Sequence, residues 1–219
     1  MTSLLFAGTL LATIVFITPI GRAQDGDQDR HRDNRDPRIA IGFAIAPVPL
    51  DLEHKNRDLV ALGSYLVATM GCNDCHSAGP KNQYVSNPFF GQPAQENPAT
   101  YLGGGRNFGP LIPGSANIIS RNLTPDKKSG LPEGGNSLED FEKILRTGID
   151  MDHLHPTCAP GQVNAGCVPF PFDGALLQIM PWPAFQHLTD HDIHAIYEYL
   201  SAVPCIQGNY PGEPADRCK

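Results

Sequence analysis

The sequence predicts an α-helical domain in which long loops separate a few helices. Three stretches repeat apolar residues at intervals of three and four, which is the spacing of one face of an α-helix. The 21 prolines and 22 glycines favour turns and irregular segments between those helices. No alternation of strand and helix patterns and no internal repeat occurs along the 219 residues, so a parallel α/β sheet is not predicted.

The first predicted helix ends directly before a cysteine motif. Gly71 provides the stop, because a glycine after the last apolar position commonly terminates a helix. The apolar face of this helix consists of Leu59, Leu62, Leu66 and Met70.

The second and third predicted helices begin with capping pairs. Ser137 and Asp140 give the S-x-x-D start of the second helix, which Gly148 ends. Thr189 and Asp192 form the same kind of pair at the start of the third. The apolar stripes are Phe141, Ile144 and Leu145 in the second helix and Ile193, Ile196, Tyr197 and Leu200 in the third.

The N-terminal region contains segments of three kinds. Residues 4–20 are an apolar run followed by a small-x-small pattern, which predicts a cleaved export signal over residues 1–23. An uncleaved membrane anchor is the alternative, and only then do we expect association with a membrane. Residues 24–56 are predicted to be a disordered linker of mixed charge followed by an extended, apolar segment with two prolines.

The charge balance excludes one class of partner. The formal net charge is −7 at pH 7, and no basic stripe is present that could neutralise phosphates. We therefore expect no nucleic-acid partner.

The chemistry of the chain is expected at residues 72–76, which read C-N-D-C-H. This is the C-x-x-C-H pattern of covalent haem attachment. Two thiols three residues apart can add to the two vinyl groups of one porphyrin, and the histidine that follows can reach the iron. We therefore expect one haem c bound through Cys72 and Cys75, with His76 as an iron ligand. A redox dithiol and one half of a zinc site are the alternatives.

The four other cysteines predict disulfide bonds, because an even number of cysteines is typical of an exported chain. Three connectivities are possible. Local pairing of Cys158 with Cys167 and of Cys205 with Cys218 is favoured, because short loops cost the least closure entropy. Free thiols are the alternative.

An electron carrier needs a second iron ligand, commonly a methionine or a histidine. The methionine candidates after the initiator are Met70, Met151 and Met180. Met70 belongs to the apolar face of the first helix, whereas Met151 lies in a polar segment. Met180 precedes a Pro-Trp-Pro stretch that would hold it in a rigid loop.

Several segments, in a fixed order, carry a resemblance to a known family. They are Gly63-Ser64-Tyr65-Leu66, Cys72 to His76, Gly103-Gly104-Gly105, Asn122-Leu123-Thr124-Pro125-Asp126, Leu145-Arg146-Thr147-Gly148, Met180-Pro181-Trp182, Leu188-Thr189-Asp190-His191-Asp192, Ala195, Tyr197, Tyr199-Leu200 and Val203-Pro204. The chain resembles the class I c-type cytochromes with one haem, especially the cytochrome c domains and subunits of bacterial periplasmic dehydrogenases. The resemblance covers residues 57–204 and implies an all-α fold, the small cytochrome c fold, with about three to five helices around one haem and with long loops and insertions.

The resemblance also implies roles for individual residues. Met180 becomes the second iron ligand, opposite His76. Further cofactor-binding residues are Asn122, Thr124, Arg146 and Trp182, with the Asn122 loop near the haem propionates and Arg146 as a charge partner there. His76 is expected to donate its second ring hydrogen to a backbone carbonyl, that of Pro110 or Pro113.

Three regions depart from the family pattern. Residues 81–102 and residues 152–172 resemble insertions, and residues 205–219 form an additional tail that the second disulfide would pin. Insertions near a haem edge affect which partner can dock.

Taken together, these patterns predict a periplasmic or secreted electron-transfer protein and not an enzyme. One His/Met-ligated haem would carry single electrons between redox proteins, a dehydrogenase or an oxidase among them. A permanently docked subunit of a dehydrogenase complex is one alternative. A haem peroxidase or a haem-based sensor is another.

Overall fold

Residues 36–219 are described by a computed structural model, and they form a mixed α/β fold. The helices among these residues are α1 (Pro37–Ile45), α2 (Arg57–Thr69), α3 (Cys72–Cys75), α4 (Pro80–Gln83), α5 (Leu138–Thr147), α6 (Trp182–Phe185) and α7 (Asp190–Ala202), with a 3-10 turn at Pro88–Phe90. The strands are β1 (Tyr84–Ser86), β2 (Gln95–Glu96), β3 (Asn107–Pro110) and β4 (Asn117–Ile119). The antiparallel pairs β1–β2 and β3–β4 make two small sheets.

The prediction of an all-α fold is therefore wrong. The strands have only two to four residues, and both pairs contain a register irregularity. Strands this short do not complete enough alternations of apolar and polar residues to give a recognisable period. The range of three to five helices is also too low, because α3, α4 and α6 are additional single turns of four residues each.

The three helices predicted from periodicity are confirmed as α2, α5 and α7. The side chain of Asn56 caps α2 by accepting from the backbone amides of Asp58 and Leu59. Ser137 and Asp140 form a reciprocal capping box at the start of α5, which ends at Gly148 with a φ of 69°. Thr189 caps α7 by accepting from the amide of Asp192. Local sequence signals thus set the helix boundaries.

Helix α1 corrects the prediction of an extended segment over residues 39–50. Asp36 accepts a hydrogen bond from the amide of Arg38 at 3.0 Å, and Pro37 occupies the first turn, where its missing N–H costs nothing. Gly42 lies so close to α2 that a Cβ there would be 1.8 Å from the carbonyl oxygen of Ala61. The hydroxyl of Ser64 donates to the Gly42 carbonyl at 2.8 Å. Packing on α2 therefore selects the helix.

The core forms where α2 crosses α7. Gly63 makes this crossing possible, because a Cβ at that position would be 1.9 Å from the carbonyl oxygen of Ala195. The fully buried core residues of the two helices are Val60, Leu62, Val67, Ile193, Tyr199 and Leu200. The close crossing places the end of α2, and the cysteine motif after it, against α7.

The segment predicted to be an insertion at residues 81–102 contains α4 and the β1–β2 hairpin. Two side-chain hydrogen bonds attach it to the cysteine motif: Gln83 donates to Asp74 at 2.5 Å, and Asn73 donates to Glu96 at 2.6 Å. The hairpin carries Phe89 and neighbouring Phe90 at its exposed end.

Both predicted disulfide pairings are confirmed. Cys158 is bonded to Cys167, within residues 152–172, and Cys205 is bonded to Cys218, across the tail. Cys72 and Cys75 take part in neither disulfide.

The predicted export signal at residues 1–23 and most of the predicted linker lie outside the described residues. Across residues 36–219, none of the helices has both the length and the apolar character needed to cross a lipid bilayer.

Candidate haem site

The cysteine motif begins with one turn of helix. Gly71, with a φ of 69°, ends the preceding helix and starts α3, where only a glycine adopts this left-handed conformation without strain. The amide of His76 donates to the carbonyl of Cys72 at 3.0 Å and closes the turn. Cys72 and Cys75 are three residues apart on this turn, so their thiols lie on one face. Both thiols and the His76 ring line the same cavity.

The His76 ring is held by a backbone carbonyl, as expected, but the carbonyl belongs to Arg121 and to neither Pro110 nor Pro113. The Nδ1–H of His76 donates to the Arg121 oxygen across 2.6 Å. Burial lowers the pKa of His76, with the hydrogen bond to Arg121 opposing that effect. A neutral ring that donates through Nδ1 leaves the Nε2 lone pair free for a metal.

The cavity that Cys72, Cys75 and His76 line is called the main cavity below. It has a volume of about 860 Å³. Ligand pockets in proteins typically measure about 300–1,000 Å³. Its apolar side comes from three helices: α2 contributes Val67, α5 contributes Ile144 and Leu145, and α7 contributes Ile196 and Leu200. The cavity can therefore accept a bulky, mainly apolar group beside the two thiols.

Met180 also lines the main cavity, as Met70 does, whereas Met151 does not. The loop that carries Met180 is fixed by its backbone: the amide of Met180 donates to the Gln178 carbonyl at 2.8 Å, and the amide of Trp182 donates to the Met180 carbonyl at 2.9 Å. A thioether on a braced loop is a suitable second ligand for a metal that His76 binds.

Several charged side chains line another part of the main cavity. The guanidinium of Arg121 pairs with Asp150 and, at 3.2 Å, with Asp152. Glu133 lines the cavity close to them, and burial raises the pKa of its carboxyl group to about 7, although the charge of Arg121 opposes this rise.

The predicted residues Asn122 and Thr124 belong to a loop that the C-terminal tail covers. Asn122 lines the cavity and donates to the Ile206 carbonyl at 2.8 Å and to Glu213 at 2.7 Å. Its side-chain oxygen accepts from the hydroxyl of Thr124 at 2.7 Å. Thr124 is fully buried behind Asn122 and is not among the cavity-lining residues.

Arg146 and Trp182, which the resemblance assigned to cofactor binding, do not line the cavity. Arg146 pairs with Glu142 and Asp190 and donates to the carbonyls of Gln186 at 3.0 Å and Leu188 at 2.9 Å. These contacts join α5 to the start of α7. Trp182 covers Gly148, where a Cβ would be 2.2 Å from the indole ring.

Three of the residues that line the cavity were not predicted from the sequence: Arg121, Glu133 and Arg217. Arg121 was detectable in part, because it directly precedes Asn122 in a segment of the family resemblance. Glu133 and Arg217 lie in a turn and in the tail, where no pattern indicates burial.

The lining residues fit a haem. Burial raises the pKa of the Cys72 thiol to about 12, so this thiol is not a ready thiolate of the kind that a redox dithiol uses. Two buried nitrogen donors of lining residues, Nδ1 of His155 and Nε of Arg217, have no hydrogen-bond partner. A flat apolar macrocycle with carboxylate side groups would match an apolar wall, two thiols and such donors. Among residues 36–219, no group of three or more His, Cys, Asp or Glu side chains is placed to hold a metal ion.

The comparisons with known proteins find cytochrome subunits of bacterial dehydrogenases among the relatives of the chain. The chain is 31% identical over 166 residues to the cytochrome c subunit of the alcohol dehydrogenase (quinone) of Gluconobacter oxydans, a match that covers 74% of the chain and 26% of that relative. It is 28% identical over 147 residues to the fructose dehydrogenase cytochrome subunit of Gluconobacter japonicus, covering 66% and 21%. It is 28% identical over 161 residues to the gluconate 2-dehydrogenase cytochrome c subunit of Pantoea cypripedii, covering 72% and 26%.

The chain is thus similar to cytochrome subunits of bacterial dehydrogenases, and this part of the predicted resemblance is confirmed. The match extends over about a quarter of the length of these relatives. No family model matches the chain. Assignment to class I and the number of haems stay predictions.

Proposed function

We propose that the chain is an exported electron-transfer cytochrome that holds one haem c in the main cavity. The observation that carries this proposal is that Cys72, Cys75, His76 and Met180 all line one apolar cavity. The two thiols would form the thioether links, and His76 and Met180 would supply the ligands of the iron. The haem supplies reversible one-electron oxidation and reduction.

The residues around His76 keep it suitable as a ligand. The carbonyl of Arg121 fixes the ring orientation and the tautomer, and burial disfavours the imidazolium form. A methionine on the other side raises the reduction potential relative to a second histidine. If His76 and Met180 both bind the iron, an electron could enter and leave the haem without a change of ligands.

The helical side of the cavity supports a carrier role as well. Val67, Leu145 and Ile196 keep water away from the macrocycle, and low polarity around the iron favours the less charged, reduced state.

The names of the relatives support a dehydrogenase as the partner. The cytochrome subunits that resemble the chain belong to dehydrogenases that act on an alcohol, on fructose or on gluconate. We place the chain as the electron acceptor of a dehydrogenase, either as a docked subunit or as a separate carrier, with an oxidase as the next acceptor. The two disulfides are typical of the periplasm or of secreted proteins.

The test is expression of the full chain in a host with c-type haem maturation, followed by optical spectroscopy. We expect a c-type ferrous α-band, one haem per chain, and pigment that stays with the polypeptide in acidified acetone. A colourless protein, or pigment that is extracted, would overturn the proposal.

A matched pair of variants tests Met180 as the second iron ligand. Met180→Leu should lose the weak far-red ferric band that reports sulfur ligation, and its ferrous form should bind carbon monoxide rapidly. Met151→Leu, outside the cavity lining, should retain the wild-type spectrum and remain closed to carbon monoxide. Rapid carbon monoxide binding by the wild type would instead favour a peroxidase or a sensor.

A further inference from the structure

The C-terminal tail forms part of the main cavity. Tyr210, Glu213 and Arg217 are lining residues, although the tail lies beyond the segment that carries the family resemblance. The Cys205–Cys218 disulfide closes the tail on itself. The amide of Lys127 donates to the Arg217 carbonyl at 2.9 Å and holds the end of the tail against the body of the domain.

Arg217 is buried in this wall with part of its donor capacity unused. The residue is only 7% exposed. Its Nη2 group donates to the carbonyls of Thr124 and Asn122, which fixes the side chain across the loop that precedes it. Its Nε, in contrast, is buried without a hydrogen-bond partner. A buried N–H donor without a hydrogen-bond acceptor is unfavourable, which points to a missing acceptor.

The nearest acidic group does not supply that acceptor. An oxygen of Glu213 lies 3.6 Å from the Nε of Arg217, beyond the usual range of a hydrogen bond. Glu213 instead accepts from the side-chain Nδ2 of Asn122 and from the hydroxyl of Tyr210, at 2.7 Å each. Its carboxylate is therefore oriented by two neutral donors and only loosely paired with the guanidinium.

The other arginine in the cavity lining has different surroundings. Arg121 is paired with Asp150 and Asp152, and Glu133 lies within its field. A further carboxylate there would meet three acidic side chains and one cation. Near Arg217, a further carboxylate would meet one acidic side chain, that of Glu213, and one cation. Electrostatics thus favours the tail as the place where an anionic group enters the cavity.

We infer that Arg217 binds a carboxylate side group of the haem, so that the C-terminal tail contributes a cofactor contact. This inference rests on the proposed function. The planar guanidinium of an arginine matches a carboxylate, and the bond would satisfy the free Nε. The role that the resemblance assigned to Arg146 would then belong to Arg217.

A small free anion could satisfy the same donor, because acetate and phosphate offer similar oxygens. The two sources differ in one respect. A haem carboxylate is held permanently next to paramagnetic iron in the oxidised protein, so its neighbouring methylene protons are shifted and can be titrated by NMR. A free anion leaves those signals unaffected by any change at Arg217.

The experiment measures the pKa of the haem carboxylates from these NMR signals in holoprotein, in 10 mM and in 200 mM phosphate. Removing an opposite charge at contact distance raises the pKa of a carboxylate by between about 1 and 3. We expect this rise in Arg217→Gln, a much smaller one in Arg217→Lys, and none in Arg146→Gln. Glu213→Gln removes the competing negative charge, so it should lower the same pKa.

Each outcome decides the question. Unchanged carboxylate pKa values in both Arg217→Gln and Glu213→Gln would overturn the inference, as would an Arg217-dependent effect of phosphate without a change in those pKa values. If Arg217→Gln yields no holoprotein, Glu213→Gln provides the test. A lowered carboxylate pKa in Glu213→Gln would support the inference, and an unchanged or raised one would overturn it. A wild type without covalent haem would instead defeat the proposed function, which separates the two failures.

Discussion

The two sides of the main cavity are built in different ways. The helical side is apolar and comes from α2, α5 and α7, and the backbones of α2 and α7 approach closely at Gly63. The loop side carries the charges and comes from segments far apart in the chain, with Arg121, Glu133 and Arg217 as examples. The helical side depends on shape, whereas the loop side depends on paired polar groups. The two sides should therefore respond differently to substitution and to pH.

The largest effect is expected on the helical side, for Gly63→Ala. A Cβ would be 1.9 Å from the Ala195 carbonyl oxygen and 2.7 Å from Cβ of Tyr199, so the two helices would have to move apart. We expect the free energy of unfolding to fall by about 3 to 5 kcal/mol, measured by urea denaturation. Gly166→Ala, in a loop, is the control, because its added Cβ meets only the end of the Asn164 side chain at 3.3 Å. An equal loss in both variants would contradict the close crossing.

On the loop side, replacing Cys205 and Cys218 together by serine should cost about 3 kcal/mol, since the bond closes a loop with a sequence separation of 13. The effect should also appear in the haem absorbance, because the tail lines the cavity. Replacing Cys158 and Cys167 by serine is the comparison: it removes a similar bond, with a separation of 9, beside the lining residues His155 and Val168 and outside the tail. Identical absorbance changes in the two double variants would argue against a special role of the tail.

The pH dependence of stability should separate the two sides. The folded protein holds a proton on Glu133 up to about pH 7, whereas the unfolded chain loses it near the ordinary pKa of 4.5. The folded state thus binds more protons in this window, and stability falls as the pH rises from 4.5 to about 7. Glu133→Gln should remove at most about 3 kcal/mol of this loss at pH 8 and change little at pH 4. Parallel stability–pH curves for the variant and the wild type would refute the effect.

The smallest effect is expected at the capping box of α5. The hydroxyl of Ser137 accepts from the amide of Asp140 at 3.2 Å and donates to its carboxylate at 2.7 Å. Ser137→Ala should therefore lower stability by about 1 kcal/mol, whereas Ser137→Thr should retain most of the cap. Thermal unfolding monitored by circular dichroism measures both. A larger loss in Ser137→Thr than in Ser137→Ala would contradict a capping role.

The sequence predicted the helical side well because its signals are local. Capping pairs, apolar spacing and the cysteine motif each lie within a few residues, and they located α2, α5, α7 and the proposed site of haem attachment. Helix α1 was missed because its helical conformation depends on packing against α2 through Gly42. Composition and proline content alone favoured an extended chain there.

The loop side could not be predicted in the same way. Arg121 holds His76 through its backbone carbonyl, and a side-chain pattern carries no information about such a contact. Arg146 is paired with Glu142, 4 residues away in the same helix, and with Asp190, 44 residues away. Only the pair with Glu142 can be recognised from helical spacing. Whether an arginine faces a cavity or another helix depends on long-range folding, which local spacing does not encode.

The position of the tail has a consequence for the order of biosynthesis. Because Tyr210, Glu213 and Arg217 close one side of the main cavity, that side forms only once residues 205–217 have folded onto the rest of the domain. If the proposed haem is attached, the thiols near residue 72 would be most accessible to it before Cys205 and Cys218 are joined, because the tail then leaves that side open. Early oxidation of these two cysteines would lower the yield of holoprotein, so the timing of disulfide formation would govern maturation.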